Sequence, residues 1–195
     1  MNYTMKFRIM NVREMSRSDY ELYYSLMTDE RKKIINKYCF EKDKKLSVCG
    51  EMLAKQMIFE QCGINIEDIV IEKDENGKPY VKNADIHFNI SHAAAYVVCV
   101  QDEMPVGIDI EQIRDIQDSL IRYVCTEQEL NHVYAGRDEE DKKKRFFEIW
   151  TAKEAYFKCI GTGITDLKGI NTLDELIRSR LTTFYYDDCI INIYR

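Results

Sequence analysis

Two carboxylates, Asp109 and Glu111, sit two residues apart in the otherwise apolar run "VGIDIE". On a strand, residues two apart share a face, so both project together while Val106, Ile108 and Ile110 turn the other way. Like charges held that close repel, and a cation between them turns the repulsion into attraction. Oxygen-only ligands suit a hard ion such as Mg2+ or Mn2+. Taken alone, the pair also fits a half-exposed strand that shows its polar face to water.

A second cluster lies in "FFEIWTAKEAYFK", residues 146–158. At helical spacing Phe146, Ile149, Trp150, Phe157 and Ile160 make one apolar stripe, with Lys153 in its middle. Glu154 lies at its edge beside Trp150, and Lys158 follows at i+4. Glu154 can add a third oxygen ligand while the two lysines receive anionic oxygens. It can equally form an ordinary helix-stabilising pair with Lys158, and Lys153 can snorkel. Third, "NISH" ends an alternating strand with Ser91 and His92, whose hydroxyl, imidazole and neighbouring N–H groups can hold a phosphate. A catalytic Ser/His couple is excluded there, because adjacent strand side chains point to opposite faces.

The elements that must position these groups read as α/β. "MKFRIM" is a strand. Ser18 and Glu21 fit a capping box that opens a long helical region to about Gly63. "DIVIEK", "ENG" and "KPYV" predict a hairpin over 69–82, and "DIHFNISH" a strand whose Ile86, Phe88 and Ile90 share a face. "AYVVCV" and "PVGIDIE", joined by "QDEM", read as a second hairpin. Helix returns from about 117 to 160, interrupted by "AGRDEEDKKK", and "TTFYYDDCIINIYR" closes as one or two strands. Two lobes are expected, divided near residue 104.

The 195 residues carry 45% hydrophobic and 32% charged side chains with two prolines, a composition of folded proteins. A net charge of −6 argues against nucleic-acid or membrane-surface partners, although "RKKIINKYCFEKDKK" is locally basic. Seven scattered cysteines without a C-x-x-C pair argue for reduced thiols and against a disulfide framework or zinc. The opening "MNYTMKFRIMNVREM" lacks an apolar core, and no run is long enough to span a bilayer, so a cytoplasmic protein is expected.

In order, "NGKPY", "HFNISHAAAYVVCV", "PVGIDIE" and "FFEIWTAKEAYFKCIGTGI" resemble the 4′-phosphopantetheinyl transferases, within them the surfactin-synthetase-activating type. The patterns G-[IV]-D-x-E and W-x-x-K-E-[AS]-x-x-K are both present, and the likeness runs over residues 20–165. It implies an α/β (α+β) fold of two pseudo-two-fold lobes, residues 1–104 and 105–195. Each lobe is a small antiparallel sheet packed with helices, and coenzyme A lies between them. It implies transfer of the phosphopantetheine arm of coenzyme A to a serine of an apo acyl or peptidyl carrier protein, by a cytoplasmic monomer holding Mg2+ or Mn2+. Asp109, Glu111 and Glu154 are the implied metal ligands. Glu154, Lys158 and His92 are the implied catalytic groups. Arg31, Lys44, Lys45, Lys78, Pro79, Ser91, His92, Lys153 and Lys158 are the implied coenzyme A contacts.

Residues 113–145 take the place where relatives receive the carrier, with Tyr123, Leu130 and Val133 as apolar contacts or as core. Two features depart from the resemblance. Leu46 stands four residues before Gly50, where relatives carry an arginine, so that Lys44 or Lys45 must offer a point charge in place of a fork. The second lobe is also shortened at its C-terminus. The alternatives are a metal-dependent phosphohydrolase acting on coenzyme A or another nucleotide, and a non-catalytic relative that binds coenzyme A or a carrier. Retention of Asp109, Glu111, Glu154 and Lys158 together speaks against the latter.

Overall fold

The computed structural model describes residues 5–195; residues 1–4 of the opening segment read above lie outside them. The chain divides into two units, one of residues 5–74 and 79–104, the other of 75–78 and 105–195.

In the first unit, β1 (Lys6–Asn11), β4 (His87–Ala93) and β5 (Tyr96–Asp102) form an antiparallel sheet in the order β1-β5-β4. Arg8 pairs with Cys99, and Ser91 with Val98. Every residue of β5 is buried, so neither face of this central strand is open to water, and a helix packs on one of them. That helix is α3 (Glu41–Cys62), which buries Leu46, Cys49, Leu53, Met57 and Ile58 against Phe88, Val97 and Cys99. Two shorter helices, α1 (Arg17–Ser25) and α2 (Asp29–Ile35), precede it. The hairpin β2 (Ile71–Lys73) and β3 (Pro79–Val81) follows it, inside the range the sequence predicts.

The second unit repeats this internal plan. Strands β6 (Gly107–Gln112), β7 (Leu181–Tyr186) and β8 (Cys189–Tyr194) form an antiparallel sheet in the order β6-β8-β7. Helices α4 (Asp118–Val124), α5 (Glu127–Tyr134), α6 (Glu139–Ile160) and α7 (Glu175–Arg178) complete it. Both long helices run 22 residues and stop at a glycine in the left-handed region, Gly63 at φ 70° and Gly161 at φ 80°. An L side chain is strained there, whereas glycine is not.

Three local expectations are corrected. The helical region up to Gly63 is broken into α1, α2 and α3, because Thr28 accepts a hydrogen bond from Arg31 N and starts a new helix. The capping box of α1 is Ser16 with Asp19 and not Ser18 with Glu21. The expected β5–β6 hairpin does not form. "QDEM" carries the chain from the first unit into the second, where β6 pairs with β8, Asp109 opposite Asn192.

The apolar stripe of α6 is buried at Phe146, Ile149 and Phe157, while Ile160 is exposed. Lys153 does not snorkel: it is wholly buried, as is Glu129 of α5, and the two form an ion pair at 2.7 Å. Its Nζ also donates to the carbonyls of Val124, Leu167 and Ile170. Glu129 in turn accepts from Thr126 N and from Thr172 N and Oγ1. One buried pair thus ties α4, α5, α6 and the segment 167–172 together. Removing one partner strands the other charge in the core, so Lys153→Ala should cost about 3–5 kcal/mol in urea denaturation. A loss under about 1 kcal/mol, the size of an ordinary substitution, would refute that account.

Candidate active site

Four charged side chains meet where β6 passes α6. Asp109 and Glu111 lie on one face of β6, and Trp150, Glu154 and Lys158, four residues apart, on one face of α6. Lys158 Nζ lies 2.5 Å from Asp109 Oδ1 and 3.9 Å from Glu154 Oε2. Glu111 accepts from Trp150 Nε1 at 3.4 Å and from Arg114 Nη1 at 3.2 Å. Asp109 is only 4% exposed, so its charge is weakly screened by water.

The carboxyls register their crowding. Burial, then the neighbouring Asp109, pushes Glu154 up to about 7, against a smaller pull from Lys158. Burial and Asp109 likewise raise Glu111. A group that gains or loses its proton near neutrality is suited to proton transfer. The donor set, carboxylate oxygens alone, has the chemistry of a hard divalent cation site. Among the described residues, however, no three His, Cys, Asp or Glu side chains stand together as a metal-binding group. In this arrangement the lysine ammonium supplies the compensating positive charge.

The approach of strand to helix depends on Gly107, to which the sequence reading gave no separate role. A Cβ there would overlap Ala155 O and Cys159 N and come within 3.0 Å of Cys159 Cα. The visible signal is a glycine at the start of an alternating strand, a position that goes with a bulge, a bend or a close backbone approach.

The remaining expected residues divide between the units. Lys78 belongs to the second, where its Nζ donates to Cys159 O at the end of α6 at 2.6 Å, a cation on a helix C-terminal carbonyl. Lys153 is spent inside the core, so the structure does not present its ammonium to a ligand. Pro79 opens β3, and Ser91 (buried) and His92 (exposed) lie in β4, all in the first unit. There Arg31 is fixed on α3 by Glu51 Oε2 and Ser47 Oγ, both at 2.7 Å. Lys44 lies one turn before Ser47, paired with Glu41, and Lys45 Nζ reaches Met15 O. Leu46 is a core residue.

Around Trp150, Arg114, Ile116, Leu120, Tyr123, Phe146 and Trp150 line a cavity of about 510 Å3. Tyr123 is exposed there, Leu130 packs on the core and Val133 is fully buried in it. No described helix is long and apolar enough to cross a membrane. None of the seven cysteines is in a disulfide.

With Gly107 closing strand onto helix, Gly107→Ala should lower Tm by at least several degrees, as a core clash of 1–3 kcal/mol does. A thermal melt unchanged by the substitution would show that the approach is not tight.

Residues 14–104 match the family model described as the N-terminal part of 4′-phosphopantetheinyl transferase, and residues 105–188 match that of the 4′-phosphopantetheinyl transferase superfamily. The chain is similar to the 4′-phosphopantetheinyl transferase gsp of Aneurinibacillus migulanus, 36% identical over 77% of this chain and 63% of the relative. It is similar to Sfp of Bacillus subtilis at 28% over 78% and 68%, and to psf-1 of Bacillus pumilus at 33% over 70% and 58%. The match thus spans roughly three fifths to two thirds of these relatives' lengths.

Proposed function

The chain belongs to the 4′-phosphopantetheinyl transferase superfamily, and from that premise we propose that it transfers the phosphopantetheine arm of coenzyme A to a serine of an apo carrier protein. The observation that carries the reading is the meeting of Asp109, Glu111, Glu154 and Lys158 on β6 and α6, inside the stretch matched by the superfamily model.

In the proposed reaction the carrier serine Oγ attacks the phosphorus that bears the pantetheine arm. A new P–O bond forms, and the P–O bond to 3′,5′-ADP breaks. Glu154, in its ionised form, takes the serine proton. Lys158 places an ammonium against the oxygens on which negative charge develops. Asp109, Glu111 and Glu154 would hold Mg2+ or Mn2+, which supplies further neutralisation of the phosphate oxygens.

Coenzyme A is assigned contacts from Ser91, His92, Lys78, Pro79 and the basic group Arg31, Lys44 and Lys45. Leu46 leaves recognition of a phosphate there to lysine point charges and to Arg31. The carrier is assigned to residues 113–145, where the exposed Tyr123 and the cavity beside Trp150 offer apolar surface next to Glu111.

Incubation with coenzyme A, Mg2+ and apo carriers from fatty acid, polyketide and non-ribosomal peptide synthesis should add the arm to at least one, read as intact mass. Failure on all three classes sinks the proposal, and coenzyme A breakdown without carrier loading would point to a phosphohydrolase. Glu154→Gln keeps the side-chain size and removes the charge, so transfer should fall by about 100-fold or more. A near wild-type rate would remove Glu154 from the chemistry.

A further inference from the structure

Strand β8 carries one amide side chain, Asn192, in an otherwise apolar run, and every residue of the strand is buried. A buried amide costs free energy unless its hydrogen bonds are made, and here both of its hydrogens and its oxygen are used. Its Nδ2 donates to Glu148 O at 3.1 Å and to Thr151 Oγ1 at 2.7 Å, both on α6. Its Oδ1 accepts from Thr183 Oγ1 of β7 at 2.6 Å. Thr151, itself wholly buried, continues the chain by donating to Phe147 O at 2.7 Å.

The place of this network gives it a role. Asp109, Asn192 and Thr183 stand opposite one another across β6, β8 and β7, and opposite residues of antiparallel strands share a face. Asn192 thus lies next to Asp109 beneath α6, and it grips that helix at the turn just before Glu154. The apolar contacts of Phe146, Ile149 and Phe157 bury the helix but are non-directional, so they tolerate a small slide or rotation. Hydrogen bonds to a helix carbonyl and a helix hydroxyl are directional and do not.

We propose that Asn192, acting through Thr151, is a positioning residue: it sets the register of α6 on the sheet and so holds Glu154 and Lys158 against Asp109 and Glu111. This role rests on the transferase reading for its effect on rate and is independent of it for the geometry.

Asn192→Leu keeps the branched shape without polar atoms, and Thr151→Val keeps the volume without the hydroxyl. Circular dichroism and a cooperative melt establish which variants are folded, and either one suffices for the test. In both, kcat for carrier loading should fall about tenfold to a hundredfold, the scale of a displacement of about 1 Å. KM for coenzyme A should stay unchanged, as when only placement in the transition state is lost. Thr151→Ser, which retains the hydroxyl, should keep the wild-type kcat. Trp150, the chain's single tryptophan, gives a reading independent of turnover, because it lies on α6 and its Nε1 reaches Glu111 of β6. Its native-state emission should move to longer wavelength and become more open to acrylamide in Asn192→Leu and Thr151→Val, and hold its wild-type value in Thr151→Ser. Folded variants with wild-type emission and wild-type kcat, or losses shared equally by Thr151→Ser, would reduce Asn192 to packing and overturn the proposal. If the wild-type protein loads no carrier, the transferase reading fails separately, and the emission alone decides the role of Asn192.

Discussion

The second unit depends on how closely β6 runs beneath α6. Gly107 has no side chain to hold them apart, and a Cβ there would collide with the helix backbone at Ala155 and Cys159. That spacing lets side chains from a strand and from a helix face each other across a short gap. It brings Asp109 close enough to raise the affinity of Glu111 and Glu154 for protons, and it lets Lys158 reach Asp109. Alone, neither element has a site: β6 has a pair of acids, and α6 has an ordinary glutamate–lysine pair.

Holding several like charges at a buried seam is unfavourable, and the surrounding structure must resist their separation. The Lys153–Glu129 pair contributes to that resistance from inside the unit. Its hydrogen bonds reach four segments, including the helix that bears Glu154. Two lysines of one motif thereby take opposite duties. Lys153 is satisfied completely by protein groups, while Lys158, one turn onward and partly exposed, retains a side open to solvent.

The proposed chemistry is consistent with this division. A phosphoryl group in transfer spreads negative charge over its oxygens, and fixed positive charge in a poorly solvated place stabilises it without reorganisation. An overall acidic chain is compatible with a polyanionic substrate because charge acts locally, through the lysines and arginines of particular turns.

The sequence by itself determined the α/β class, the strands around the acidic pair, the helix ending at Gly161 and the family, because alternation, helical spacing and motif order are local properties. It also singled out Asp109, Glu111, Glu154 and Lys158, which the fold brings to one seam. It misread the β5–β6 connection, since two adjacent strands look like a hairpin until β5 pairs with its other neighbour β4 and the remote β1, and β6 with the remote β8. It read Lys153 as a ligand contact or a snorkelling side chain because Glu129, 24 positions earlier in the sequence, carries no local sign of being its partner. Only the tertiary structure decided which lysine is buried and which faces the acids, and how near β6 lies to α6. Burial and pairing depend on contacts between segments far apart in the chain, which local spacing does not encode.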